Sequence, residues 1–249
     1  MLKQILLRLC EANHCFACAK PIRLVVREEL QKELDLREKY ACQNIELKRH
    51  HMSLSSTAEY VDRRMAEVAS FPSKFELLTS ALARAKKDEG LFCEFGVFTG
   101  GTINHIAGST KSVVYGFDSF EGLPEGWYGL EKGHFAVGNL PKVLPNVRLI
   151  KGWFNETLPK FIAEHSETLT FLHVDCDLYS STKVVFDALA RKIVPGTIIV
   201  FDEYFNYPNW DNGEFKAFRE FISNSPFGYD YIGYNRFGQQ VALIIRQKS

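Results

Sequence analysis

Neither sign of charge is in excess in this 249-residue sequence: thirty Lys and Arg stand against thirty Asp and Glu. So balanced a chain has no electrostatic footprint for nucleic acid or for an anionic membrane, and neither is expected as a partner. No uncharged apolar run reaches about 18 residues, so no transmembrane helix is expected. Met1 to Cys10 carries Lys3 and Arg8 and lacks a long apolar stretch leading to a small-residue cleavage site. A signal peptide is therefore not expected. Repeats and low-complexity segments are missing as well. Cysteine is sparse, with six residues at positions 10, 15, 18, 42, 93 and 176. A disulfide framework is not expected in a chain this large without a secretion signal. Cys93 and Cys176 lie in apolar runs and read as buried thiols. A reducing, cytoplasmic setting follows as the expectation.

What is present is globular: 46% of the residues are hydrophobic and 24% charged, which excludes a disordered chain. Two regions differ in texture, and the expected domains are residues 1–88, a helical extension for lid or dimer contacts, and residues 89–249, a catalytic domain. The first region contains no clear strand. Ile22 to His50 is highly charged with scattered Leu and Ile, and reads as a long amphipathic helix. Ser56-Thr57-Ala58-Glu59 and Ser73-Lys74-Phe75-Glu76 each fit a capping box, which predicts two helix starts. The second of these helices carries Phe75, Leu78, Leu82 and Ala85 on one face and stops at Gly90. Cys10, His14, Cys15, Cys18 and Cys42 suggest zinc only superficially, because their spacing matches no standard finger.

Strands and helices alternate from residue 91 onward. Leu91 to Phe95, Ser112 to Phe117, Val147 to Ile150, Leu169 to Val174 and Thr197 to Phe201 read as strands. Helices are expected over Thr102–Gly108, Asn155–His165 (capped by Asn155), Ser180–Lys192 and Glu214–Ser223. Tyr229 to Tyr234 and Gln240 to Arg246 flank a turn-rich Asn235-Arg236-Phe237-Gly238 and read as an antiparallel hairpin. The expected fold class is α/β: a mostly parallel, Rossmann-like sheet with helices on both faces, closed by that hairpin.

Ligands of such sheets sit beyond the carboxyl ends of the strands, where strand order reverses. The first turn, Glu94-Phe95-Gly96-Val97-Phe98-Thr99-Gly100-Gly101, lets the backbone approach a ligand closely. Its Gly-x-x-x-Gly-Gly spacing departs from the dinucleotide Gly-x-Gly-x-x-Gly, and the Lys-Ser/Thr of a phosphate loop is missing. Glu94 would repel a pyrophosphate but suits the ammonium of a methionine moiety, which favours S-adenosylmethionine over a nicotinamide cofactor. Asp118, about 20 residues on, suits ribose hydroxyls. Gly152 and Trp153, in Lys151-Gly152-Trp153-Phe154, suit an adenine. Asp175 and Asp177 end one strand, and Asp202 and Glu203 end the next. Four like charges in one crevice call for a divalent cation, and oxygen donors suit Mg²⁺, Mn²⁺ or Ca²⁺ better than zinc. Helix capping is the competing reading for Asp177, which precedes the helix expected at Ser180. His173 lies within a strand and reads as a core residue, and His105 as structural.

Phe117-Asp118-Ser119-Phe120-Glu121-Gly122-Leu123-Pro124, Asp175 to Thr182 and Phe201-Asp202-Glu203-Tyr204, together with the Glu94 loop, resemble the macrocin O-methyltransferase family. The resemblance covers roughly Leu91 to Arg246. It implies a class I methyltransferase that uses S-adenosylmethionine and magnesium on sugar hydroxyls of natural products. It implies donor contacts from Glu94, Gly96, Thr99, Gly100, Gly101, Thr102, Asp118, Ser119, Gly152 and Trp153. It also implies metal ligation by Asp175, Asp202 and Glu203, the last often Asp in the family.

Catechol-type methyltransferases share this ligand layout, and some place a lysine base soon after the first ligand. Cys176-Asp177-Leu178 holds none here. The general base is left open; His134, in the long connection between the second and third of these strands, is the candidate, because an imidazole titrates near the operating pH, and a surface-loop histidine is the competing reading. Asp175 is the carboxylate expected to hold the reacting centre. Trp127-Tyr128 and Tyr204 to Trp210 supply flat rings for a small-molecule acceptor. A homodimer through the N-terminal helices is expected. The rival readings are a nicotinamide-dependent oxidoreductase and a non-catalytic partner protein built on a methyltransferase fold.

Overall fold

The computed structural model describes residues 19–86 and 89–248. Cys10, His14, Cys15 and Cys18 lie outside the described residues. The chain forms two compact units that divide between His51 and Met52. The division falls earlier than residue 88 because residues 52–86 share the core of the sheet unit, as Met65, Leu77 and Leu78 illustrate.

The described residues of the first unit are helical. Helix α1 spans Ala19–Gln43, and α2 begins at Ile45 and runs to Arg64. Asn44 separates them, and its side chain accepts a hydrogen bond from the Leu47 N–H at 2.9 Å, a cap that starts a new helix. The surface of α1 carries short-range ion pairs such as Lys32–Glu29 at 2.8 Å. The expected helix start at Ser56 is not there. Ser56 lies inside α2, and its hydroxyl donates to the Ser53 carbonyl one turn back. The motif was satisfied by a helix already under way.

The second unit is one eight-stranded sheet. Its strands are β1 (Ser70–Phe71), β2 (Leu91–Phe95), β3 (Val114–Asp118), β4 (Val147–Lys151), β5 (Leu169–Val174), β6 (Ile198–Phe201), β7 (Phe227–Asn235) and β8 (Val241–Gln247). They lie in the order β1-β7-β8-β6-β5-β2-β3-β4. Strands β2 to β6 pair in parallel, and β7 and β8 form the expected antiparallel hairpin. Strand order reverses between β2 and β5, since β3 and β4 extend one way and β6 the other. Continuous apolar runs such as Ile198-Ile199-Val200-Phe201 are buried throughout, as strands covered on both faces must be. The two-residue β1 pairs with β7 and is too short to leave a pattern. No helix among the described residues is long and apolar enough to cross a membrane.

Helices α3 (Lys74–Arg84), α4 (Gly101–Gly108), α5 (Phe154–Glu164), α6 (Tyr179–Leu189) and α7 (Glu214–Ser223) cover the sheet. Two buried clusters result. One holds Phe92, Phe171 and Val200 against Leu78, Leu82, Ile103 and Ile106 of α3 and α4. The other holds Phe95, Phe117, Val174 and Phe201 against Phe161, Phe186 and Phe218 of α5, α6 and α7. Successive strand residues point to opposite faces. The alternation therefore turns Glu94, His173, Asp175 and Asp202 toward the face covered by α3 and α4. Gly116 lets α4 sit this close, because a Cβ there would run into Ile103 and Val97.

Ser73 caps α3 as expected, accepting from the Glu76 N–H at 3.2 Å. Phe75, expected on the buried face, is 42% exposed; Leu77, Leu78, Ala81 and Leu82 face the core, and the helix ends at Arg84, short of Gly90. Asn155 does not cap α5. The helix starts one residue earlier, at Phe154, behind Trp153 and with no side-chain cap. Replacing Ser73 with Ala should destabilise the protein by about 1 kcal/mol, the usual worth of such a cap. A thermal melt would register a fall of roughly 2–4 °C, and an unchanged melting temperature would deny the cap its role.

Candidate active site

The glycine-rich turn after β2 is built to bring two strand ends together. Gly96 has φ +91°, and a Cβ on it would overlap the Asp175 carbonyl oxygen. Only glycine lets the β2 and β5 turns meet in this way. Asp118, at the end of β3, holds the turn in place. Its Oδ2 accepts from the Val97 and Phe98 N–H groups, both at 2.8 Å, and its Oδ1 accepts from Phe120 N–H at 2.7 Å. Two oxygens thus fix three backbone donors, and charged acceptors make the stronger hydrogen bonds.

A cavity of about 540 Å³ opens at the reversal of strand order. That volume is within the usual range for small-molecule sites. It brings together Gly96, Thr99, Gly101 and Thr102 of the turn, Asp118 and Ser119 after β3, and Trp153 after β4. Asp175, Asp202 and Glu203 line it too. Of the residues expected at the site, Glu94, Gly100, Gly152 and His134 are not in the lining, nor are the expected acceptor rings of Trp127, Tyr128 and Tyr204 to Trp210, of which Tyr204, Phe205, Tyr207 and Trp210 are buried. Glu94 is fully enclosed beneath it, and its Oε1 lies 2.8 Å from His173 Nδ1. His134 is exposed, while its neighbour Phe135 faces the cavity.

The carboxylates at the ends of β5 and β6 form the most charged feature of the cavity. Burial pushes Asp175 well above the ordinary carboxylate range, and Asp202 adds to the shift. Asp177 is pushed up to about 7 by burial first and by Asp202 next. Glu203 is raised by burial and by Asp202 and Asp175, and its buried Oε2 has no partner among the described residues. Asp177 does not act as a helix cap. It takes φ +62°, and Leu178 stands at the start of α6 with no side-chain cap. The left-handed backbone leaves the Asp177 carboxyl in the cavity wall.

Three residues that the motifs did not single out organise this cluster. Lys74, at the start of α3, places Nζ 3.4 Å from both carboxylate oxygens of Asp202. Burial alone would lower its pKa, but Asp202 and Asp175 outweigh that and raise it. Glu214, fully buried on α7, accepts from Cys176 N–H at 3.2 Å and from Glu203 N–H at 3.3 Å. One carboxylate so ties the two turns that carry the acids. His173 brings one donor atom within 4.8 Å of donor atoms from Asp175 and Asp202. Glu203 is outside that group of three. Lys74 comes from another helix, and its partner lies 128 residues on, so only its place beside the Ser73 cap hinted at it.

These residues fit a divalent cation in two respects. Glu203 Oε2 is an orphaned buried oxygen, and donor atoms of His173, Asp175 and Asp202 lie within 4.8 Å of one another. They fit a methyl donor in the cavity that the glycine-rich turn shares with Asp118, Ser119 and Trp153.

Residues 139–224 match a model of the family described as macrocin O-methyltransferase. That stretch holds the Asp175 and Asp202 motifs but not the glycine-rich turn. A 4'-O-methyltransferase of Streptomyces olivaceus acting on 8-demethyl-8-(2,3-dimethoxy-alpha-L-rhamnosyl)-tetracenomycin C is 30% identical over 142 residues, covering 46% of this chain and 53% of that one. Demethyldecarbamoylnovobiocin O-methyltransferase of Streptomyces niveus is 29% identical over 145 residues, with 48% of this chain and 54% of that one covered. The chain thus spans about half the length of the curated relatives it matches. Among solved structures, the calicheamicin methyltransferase CalS11 superposes with a TM-score of 0.56 at 21% identity, over 81% of this chain and 93% of that one. The O-methyltransferase NovP gives 0.52 at 21% identity, over 70% and 80%. The resemblance drawn from the motifs is matched by sequence relatives, and the fold is that of class I methyltransferases.

The crowding at β5 and β6 predicts an unusual mutant. Asp175→Asn keeps the shape and removes one charge, so the cation-free protein should become more stable at pH 8. A gain of about 1 kcal/mol is the scale of stabilising changes at such sites, or roughly 2–4 °C in melting temperature. A lower melting temperature in metal-free buffer would show that the carboxylates do not oppose one another.

Proposed function

We propose that this chain transfers the methyl group of S-adenosylmethionine to a hydroxyl oxygen of a sugar or glycosylated natural product, with a divalent cation at the acidic cluster. The observation that carries the reading is the meeting of the glycine turn and the strand-end carboxylates in one cavity at the reversal of strand order. The sequence relatives support the acceptor class, since both methylate oxygens of natural products by their names.

In this reading the donor's sulfur–methyl bond breaks as the acceptor oxygen–methyl bond forms, and the acceptor hydroxyl gives up its proton. Gly96, Thr99, Gly100, Gly101 and Thr102 let the backbone lie against the donor. Asp118 and Ser119 serve its ribose end, and Gly152 and Trp153 its adenine. Glu94 sets the charge beneath the methionine end. Asp175, Asp202 and Glu203 would hold the cation, Mg²⁺ in the family's pattern. A bound cation there lowers the pKa of an acceptor hydroxyl. Asp177 already lines the cavity and is the nearer proton acceptor. His134 is the second candidate, from the connection that also carries Phe135. Trp127 and Tyr128, which pack on the buried Tyr207 outside the cavity lining, are the proposed rings for the acceptor. Most of the acceleration comes from alignment of donor and acceptor.

The helical segment before residue 52, with Leu30 and Leu34 each more than half exposed, is the proposed homodimer contact. The unbridged Cys93 and Cys176 suit the cytoplasm.

Calorimetric titration with S-adenosylmethionine tests the central step. Binding is expected in the presence of Mg²⁺ or Mn²⁺, with Gly96→Ala abolishing it. No heat with wild-type protein, in metal-loaded and metal-free samples alike, would overturn the reading.

A further inference from the structure

We infer that His173 is a direct ligand of the cation and that the site therefore selects a first-row transition dication, such as Mn²⁺, Fe²⁺, Co²⁺ or Zn²⁺, over Mg²⁺. The inference rests on the cation reading above and changes its donor set from three carboxylates to one imidazole and two carboxylates.

The argument starts from hydrogen bonds. His173 is completely buried in the middle of the sheet, and its Nδ1 lies 2.8 Å from Glu94 Oε1. Glu94 is its register partner on β2, so the two side chains leave neighbouring strands on the same face. With Glu94 accepting at Nδ1, a neutral imidazole carries its hydrogen there and keeps its lone pair on Nε2. That Nε2 is buried and has no partner among the described residues. An unpartnered buried polar atom is costly, and native proteins seldom keep one without a use.

Position supplies the use. Asp175 is two residues beyond His173 on the same face, and Asp202 stands two residues beyond Val200, the register partner of His173 on β6. One donor atom from each of His173, Asp175 and Asp202 lies within 4.8 Å of the others. Glu94, His173 and a cation would form a carboxylate–histidine–metal relay, the arrangement by which outer-shell carboxylates orient a ligating imidazole and raise its basicity. This also gives Glu94 work that its full enclosure does not otherwise explain. Imidazole nitrogen binds transition dications well, whereas Mg²⁺ prefers oxygen and keeps its waters. A three-carboxylate site would show a smaller bias.

Electron spin echo spectroscopy of the full chain loaded with Mn²⁺ reads nitrogen ligation directly. Wild type is expected to show nitrogen modulation that changes when histidine is isotope-labelled. His173→Leu should lose the modulation, and Asp175→Asn should lose the bound Mn²⁺. Glu94→Gln should weaken Mn²⁺ binding roughly 10–100-fold, the usual effect of removing a ligand's outer partner. Competition should favour Mn²⁺ over Mg²⁺ in wild type and do so less strongly in His173→Leu. Mn²⁺ bound in an Asp175-dependent way, with no nitrogen modulation, would overturn the inference and leave the cation reading standing. No Mn²⁺ bound by wild type would overturn both. The labelled wild-type spectrum decides even if His173→Leu fails to fold.

Discussion

Like charges held together in one crevice are the constraint around which this molecule is arranged. Two charges of one sign about 4 Å apart repel by about 4 kcal/mol at the effective dielectric near a protein surface. Asp175, Asp177, Asp202 and Glu203 share such a crevice, and Lys74 is the cation seen against them, 3.4 Å from Asp202. The remaining opposition shows as raised proton affinity at Asp175, Asp177 and Glu203, with burial as the larger cause at each. A site so arranged is poised for a positively charged guest. Its native partners hold it in shape but leave the charge largely unmet.

The fold keeps the repelling groups in place from below and from the side. Period-two alternation sends Glu94, His173, Asp175 and Asp202 to one face of the sheet. Glu214 ties the β5 and β6 turns through two backbone N–H groups from the opposite face. Asp118 does the same for the glycine turn, and Gly96 allows that turn to touch β5. The turns that carry the charged groups are thus fixed by carboxylates on neighbouring elements. Preorganisation of this kind lets dipoles and charges act without rearranging.

Much of this could be read from residue order alone, for a physical reason. Strands buried on both faces are continuous apolar runs, so β2, β5 and β6 stood out. Loops at strand ends carry the chemistry, so the glycine turn and the acidic pairs did too. What escaped depends on contacts between distant segments. Lys74 meets Asp202 across 128 residues, and Glu214 reaches both turns from a helix whose pattern shows only its apolar stripe. His173 reads as core because it is core; its meaning lies in the nitrogen left unpaired, which no spacing reveals. Ser56 misled because a capping motif inside a helix already formed has nothing left to cap. Asp177 misled because a left-handed backbone turned an expected cap into a wall of the cavity.

The central claim is that the methyl donor and the cation occupy one cavity at the ends of β2, β5 and β6. Nuclear magnetic resonance of S-adenosylmethionine carrying an isotope-labelled methyl, bound to the protein and titrated with Mn²⁺, measures their proximity. The account predicts selective broadening of the bound methyl signal by one equivalent of Mn²⁺, reversed by chelation and absent in Asp175→Asn. A bound methyl signal that keeps its width while Mn²⁺ binds would place the two in separate sites and contradict the account.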